Sequence, residues 1–209
     1  MSKNTLRHRL LFVMMDTHSQ KQKRKKLFYC YRGHLRETAE EITMNDMTVP
    51  CGDGLINLRV GAIILQDGKL LMVKNERADY LYSVGGRIQF GETAEEAVIR
   101  EVTEETGIRM EIDRLGFIHE NYFIGDAPGN LDKLIYEISF FFYMKVPDGF
   151  SPVCNSFTED NSKEHLQWIS VDDPRKYYPA FFRQELSHPE NTVKHFVTDE
   201  RSKSNTHAR

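Results

Sequence analysis

Cysteine is scarce in this chain and so are long apolar runs, and each shortage removes a class of protein. The 209 residues hold three cysteines, Cys30, Cys51 and Cys154, widely spaced and without a Cys-x-x-Cys pair. An odd, scattered set excludes a disulfide framework and a cysteine-based zinc site, and it fits a reducing, cytoplasmic setting. The longest apolar runs, residues 10–15 and 140–142, are far shorter than the roughly 20 residues of a membrane-spanning helix. Six apolar residues ending before Asp16 are also too few for a secretory signal peptide. What remains is ordinary: 40% hydrophobic residues support one globular core, with room for an extension or a tail.

Charge is spread unevenly. Residues 1–46 carry ten Lys/Arg against five Asp/Glu, whereas residues 47–209 carry eighteen against twenty-six. The basic run over residues 21–26 reads as part of a solvated extension. We therefore expect a basic, poorly ordered extension over residues 1–46, a catalytic domain over 47–200 and a tail over 201–209. An acidic main domain is a poor match to long nucleic acid, but it tolerates a small phosphate ester held through a metal.

Regular patterning begins near Leu55. Residues 58–65 read as a buried strand, Asp67-Gly68 as a two-residue hairpin turn, and residues 70–73 as the antiparallel return. Strands are expected near residues 111–118 and 134–146, with a loop at 125–130 between them. Residues 140–143 are apolar at every position, as in a strand covered on both faces. Residues 147–163 form a long polar loop, and loops of that length inside a domain are usually functional. Residues 166–171, with Trp168, resume as a strand. Asp173-Pro174 then reads as the start of a helix broken at Pro179 and ending at Leu186. Pattern alone gives an α/β or α+β fold. Residues 37–41 repeat residues 92–96, but the continuation is missing, so the first copy carries no site.

The continuation of the second copy is the informative part. Gly86 is followed by Glu92, by Arg100, Glu101 and the apolar Val102, and by Glu104, Glu105, Gly107 and the apolar Ile108. Nine specified positions in 23 residues would arise by chance on the order of once in a billion windows. On a helix, Glu101, Glu104 and Glu105 fall within one arc, beside an apolar arc of Val98, Ile99 and Val102. Thr93 suits the N-cap with Glu96 as its capping-box partner, and Gly107 suits a left-handed C-cap. Three neighbouring carboxylates repel one another. Arg100 is expected to point elsewhere and leave them unpaired, and hard divalent cations are what clustered carboxylates bind.

This pattern resembles the signature of the Nudix hydrolases in full. The resemblance is strong for residues 86–108 and looser over roughly 57–170. It implies an α/β fold of the Nudix type, an α/β/α sandwich with a mixed sheet. The implied activity is metal-dependent hydrolysis of a phosphoanhydride in a nucleoside diphosphate linked to another moiety X. By the same resemblance, the Gly86 carbonyl with Glu101, Glu104 and Glu105 would hold Mg²⁺ or Mn²⁺, and Arg100 would pair with Glu92. The base for the attacking water would be Glu101 or a loop acid, Glu159 ahead of Glu164. Tyr82, Tyr122 and Phe123, with Tyr80, are candidate stacking partners for the nucleotide. Val84 stands where many members of the family have proline. The ADP-ribose proline and the coenzyme A motif of known subgroups are missing, so the substrate stays open.

Two other readings are a non-catalytic nucleotide-ligand sensor of the same fold and a nucleic-acid-binding module built on residues 1–46. Retention of every signature glutamate argues against the first, and the acidic main domain argues against the second. The expected partner is a nucleotide-derived small molecule rather than a membrane or nucleic acid. A homodimer is compatible with the sequence.

Overall fold

A computed structural model describes residues 12–14, 26–31, 34–37, 45–76, 78–126, 129–152 and 164–201. The chain divides into two compact units, Met1–Asn45 and Asp46–Arg209. In the first, β1 (Phe12–Met14), β2 (Lys26–Tyr31) and β3 (His34–Glu37) form an antiparallel sheet in that order. Sequence pattern had named no partner for these strands. Their pairing is short, with Phe12 opposite Phe28 and Tyr31 opposite His34.

The second unit contains β4 (Thr48–Cys51), β5 (Gly54–Ile63), β6 (Leu65–Gln66), β7 (Lys69–Asn75) and β8 (Leu81–Ser83). There follow α1 (Ala94–Thr106), β9 (Glu111–Ile124), β10 (Leu134–Lys145) and β11 (Glu164–Ser170). The last elements are β12 (Tyr177–Tyr178), α2 (Phe182–Glu185) and β13 (Lys194–Asp199). One mixed sheet runs β13-β9-β10-β5-β4, with β10 parallel to β5 and β13 parallel to β9. A second runs β11-β7-β8-β12, with β6 paired to β7. Asp67 and Gly68, which join β6 to β7, both have positive φ, as a tight hairpin turn of this hand requires.

Strand alternation sends side chains to two cores. Val60, Ala62, Phe142 and Met144 pack with Ala97, Val98 and Val102 of α1. Ile63, Phe117, Phe141 and Tyr143 pack on the other side with Phe182 of α2 and with Leu186. β10 is therefore apolar at successive positions because both of its faces are covered, each large side chain contributing about 1.5–3 kcal/mol. Helices lie on opposite faces of the sheet, which makes this an α/β fold. Among the described residues no helix is long and apolar enough to cross a membrane.

Two expectations are corrected. No helix starts at Asp173-Pro174; the Asp173 carboxylate accepts from the Arg175 backbone N–H at 3.0 Å and from its guanidinium at 2.9 and 2.8 Å. That local turn diverts the chain into β12, where the Leu81 N–H donates to the Lys176 carbonyl. Helix forms only over Phe182–Glu185. Strand β9 also runs six residues past its expected end, because β10 and β13 flank it on both sides.

Asp46 pairs with Gln89, and the Met47 N–H donates to the Ile88 carbonyl at 2.8 Å, so the second unit is stitched from its first residue. We propose that it folds alone. A chain starting at Asp46 should keep its melting temperature within a few degrees in a thermal melt. Each kcal/mol lost would lower it by about 2–4 °C. A larger drop would show that residues 1–45 supply stability.

Candidate active site

The site is built where the β8–α1 loop passes the edge of β5. Backbone bonds lock that passage: Ala62 N–H to Val84 O at 2.7 Å, Val60 N–H to Gly86 O at 2.9 Å, and Ile88 N–H to Leu58 O at 2.9 Å. Gly85 has φ 142°, and a Cβ there would collide with the Val60 carbonyl. At Gly86 a Cβ would land on the Glu101 carboxylate. Glycine is needed at both because the backbone passes directly against a strand and the Glu101 side chain.

Helix α1 starts as its sequence dictates. The Thr93 hydroxyl accepts from the Glu96 N–H at 3.2 Å, while the Glu96 carboxylate accepts from the Thr93 N–H at 2.9 Å. Gly107, at φ 75°, closes the other end. Arg100 then ties the helix to the loop. Its guanidinium donates to both oxygens of Glu92, at 2.6 and 3.1 Å, and to the Arg87 carbonyl at 3.0 Å.

Arg100 does not point away from the acidic face, as the helical projection had suggested. Its Nη1 also reaches Glu101 at 2.7 Å and Glu104 at 3.3 Å. The side chain is long enough to lie along the helix and serve three carboxylates from one position. Burial opposes the charge, but Glu92 and Glu101 hold the guanidinium above its ordinary range.

Glu105 lies outside Arg100's reach. It is 7% exposed, and one oxygen accepts from the Gly85 N–H at 2.9 Å. The other, Oε2, is buried without a hydrogen-bond partner. Burial pushes this carboxyl well above the usual carboxylate range; the charges of Glu101 and Glu164 add to the effect, and Arg59 opposes it. Burial likewise raises Glu101, against the pull of Arg100. Glu164, the first residue of β11, accepts from the Tyr82 hydroxyl at 2.5 Å. The Tyr82 hydroxyl is raised by its own burial and feels Glu105 as well. Glu101, Glu105, Glu164 and Tyr82 thus share one electrostatic neighbourhood, with Arg59 of β5 beside it.

Among the described residues no three acidic, histidine or cysteine side chains converge in a ready-made cation geometry. The reason is visible in the bonds: Arg100 draws Glu101 and Glu104 toward itself, and Gly85 takes one oxygen of Glu105. The donor chemistry nevertheless fits a hard divalent cation. All candidate ligands are oxygens, and the orphaned Glu105 Oε2 is a buried acceptor that such an ion would satisfy.

The family model of the NUDIX domain matches residues 56–189, well over half of the chain. The chain belongs to the Nudix family. It is similar to a MutT-like protein of Streptomyces ambofaciens, 39% identical over 61 residues, or 29% of this chain and 40% of that one. An uncharacterized Nudix hydrolase of Bacillus subtilis, YvcI, is 31% identical over 120 residues, covering 55% of this chain and 67% of that one. An ADP-ribose pyrophosphatase of Methanocaldococcus jannaschii is 39% identical over 59 residues, 27% of this chain and 35% of its own. The chain thus spans from about a third to two thirds of the length of these relatives. Among solved structures, a MutT Nudix hydrolase from Burkholderia pseudomallei is 26% identical at a TM-score of 0.48, covering 62% of this chain and 96% of that one.

Outside the Nudix signature the candidate residues scatter. Tyr82 joins the glutamate cluster. Tyr122 stacks on Tyr136 at 4.4 Å, with the Arg201 guanidinium 4.0 Å over its ring. Strand alternation puts Tyr122 on the face of Ile56, and Phe123 on the opposite face with Leu55 and Asn57. Glu159 lies outside the described residues. Arg59 was missed, although polar residues at 57 and 59 inside an apolar strand were a period-two signal of a polar face.

His119 is 7% exposed, bonded through Nε2 to the Thr198 hydroxyl at 2.8 Å, and covered by Phe181. Burial lowers its pKa from 6.5 to about 4, with His195 adding to the effect. The unfolded chain therefore binds this proton between pH 6.5 and 4 while the folded chain does not. Stability present above pH 6.5 is lost as pH falls through that window, by about 3 kcal/mol for this group. Chemical denaturation of parent and His119→Gln across pH 4–7 should show a shallower acid decline in the variant. Parallel declines would sink the assignment.

Proposed function

We propose that this chain hydrolyses a phosphoanhydride bond in a nucleoside diphosphate linked to a moiety X, using Mg²⁺ or Mn²⁺. The observation that carries the reading is the Glu105 carboxylate, buried beside Glu101 and Glu164 with one oxygen unpartnered. Burying such a group costs several kcal/mol unless something positive completes it. Glu101, Glu104, Glu105 and the Gly86 carbonyl would hold the ion. That carbonyl already accepts from Val60, but it keeps a second lone pair. When bound, the ion shields the phosphate charge and stabilises the leaving group.

The protein's own residues do the rest. Arg100 orients Glu101 by a 2.7 Å bond and braces the loop through Glu92. Glu164 is the base of choice to take the proton of the attacking water, because Tyr82 holds its carboxylate next to Glu105. Glu159 and Glu101 are the alternatives. The substrate is a nucleotide-derived small molecule; its hydrolysis yields a nucleotide and the phosphorylated remainder, so the whole-protein activity is tested by release of those products, read as phosphate after an added phosphatase. A screen over nucleotide sugars, ADP-ribose, dinucleoside polyphosphates and oxidised dNTPs, with Mg²⁺ or Mn²⁺, should give turnover that EDTA abolishes. No turnover on any class would overturn the reading.

A further inference from the structure

Among the described residues β13 is the outer strand of its sheet, paired to β9 on one side and open on the other. An open edge is a row of N–H and C=O groups that can template another strand. The Glu200 N–H donates to the Tyr122 carbonyl, so by alternation Lys194, Phe196 and Thr198 also turn their backbone groups toward β9. His195, Val197 and Asp199 turn theirs outward.

Other edges are blunted. β4 carries Pro50, which cannot donate, β12 has two residues, and β11 is at least half-buried until its last residue. β13 contains neither proline nor glycine. A lysine on an edge strand keeps copies apart, but Lys194 is already bonded to Glu185 and Glu190, each at 2.7 Å. The strand is also fixed from inside. Phe196 stacks on Phe181 at 4.2 Å, and the Thr198 hydroxyl is bonded to His119 at 2.8 Å. A strand ordered in advance loses little entropy when it pairs. At its middle Val197 is 61% exposed.

We propose that β13 pairs antiparallel with β13 of a second copy, about a two-fold axis at Val197, so that one sheet runs through a homodimer. Register argues for this occupant. In a continuous two-fold sheet only residues of the same face meet, so the axis passes through a residue. With the axis at Val197, the apolar Val197 meets the partner's Val197, and His195 meets the partner's Asp199. All three outward residues then exchange backbone hydrogen bonds. An axis at Phe196 would set the exposed Val193 against a carboxylate, that of the partner's Asp199. An axis at Thr198 would set His195 against a guanidinium, that of the partner's Arg201. The strand is complementary to itself in the first register.

The test is the mass of the full chain in sedimentation equilibrium at rising concentration, where the parent should approach twice the monomer mass. Val197→Pro removes an outward N–H that β9 does not use, and Val197→Lys sets two like charges on the axis. Each should weaken the dimer about tenfold or more, with the melting temperature of dilute protein unchanged. If Val197→Pro lowers that melting temperature, Val197→Lys decides, because its side chain stands in solvent.

Cross-linking reads the register. Directly opposed Cα atoms of a hydrogen-bonded antiparallel pair lie about 5.5 Å apart, within disulfide reach. Val197→Cys should therefore form a covalent dimer with diamide as oxidant, whereas the parent and His195→Cys should not. A chain that stays monomeric at every concentration overturns the proposal, including one whose edge takes a strand from a different protein. So does a dimer that neither variant at Val197 weakens, or one that cross-links as readily through position 195. Hydrolysis has no part in these measurements, so either result leaves the proposed activity untouched.

Discussion

Glu105→Gln is expected to abolish turnover and to leave the metal-free protein at least as stable as the parent. The parent carries a carboxylate that is 7% exposed, with one oxygen on the Gly85 N–H and the other on nothing. Glutamine keeps the first bond and the side chain's shape. It removes a charge that burial already disfavours and that Glu101 and Glu164 repel. Each kcal/mol recovered raises the melting temperature of a chain this size by about 2–4 °C. Thermal melts in EDTA read that gain. The same melts with added Mg²⁺ should stabilise the parent but not the variant, since ligand binding to the folded state is what shifts the transition. Parent-level turnover by the variant at saturating Mg²⁺ would remove Glu105 from the metal site. A large fall in melting temperature in EDTA would make its role structural instead.

The helix and its caps were readable because each signal is local. Thr93, Glu96 and Gly107 act within one or two turns of their own positions, and apolar spacing at Val98 and Val102 fixes the buried face. The hairpin at Asp67-Gly68 is local in the same sense. What the sequence concealed depends on reach across space. Arg100 was assigned a direction from its helical angle, but a side chain that long is placed by its partners, Glu92, Glu101 and Glu104. The turn at Asp173 looked like a helix start because an N-cap aspartate and an aspartate that binds its own i+2 neighbour have the same composition. β13 escaped notice because its half-exposed alternation is weak until β9 lies alongside it. Thr48 and Asn57, 9 positions apart in sequence, become a pair only through strand register.

Glu164→Gln is expected to lower kcat by roughly 10²- to 10⁴-fold with little change in KM, the range for loss of a general base. The geometry behind this is the 2.5 Å bond from the Tyr82 hydroxyl, which fixes a carboxylate at the start of β11 next to Glu105. β11 pairs with β7 from Glu164 opposite Asn75 onward, so a sheet edge rather than a loop tip sets the backbone there. Tyr82→Phe keeps the ring and deletes only the bond, and it should cost kcat about tenfold by loosening Glu164. If the hydroxyl works solely through Glu164, Tyr82→Phe should cost nothing further once Glu164→Gln is present, because residues acting as a unit are not additive. Independent, multiplying losses would mean that Tyr82 touches the substrate itself. A mild effect at Glu164 with a large one at Glu159→Gln would move the base into the loop. Mild effects at both would leave Glu101, held by Arg100, as the residue that takes the proton.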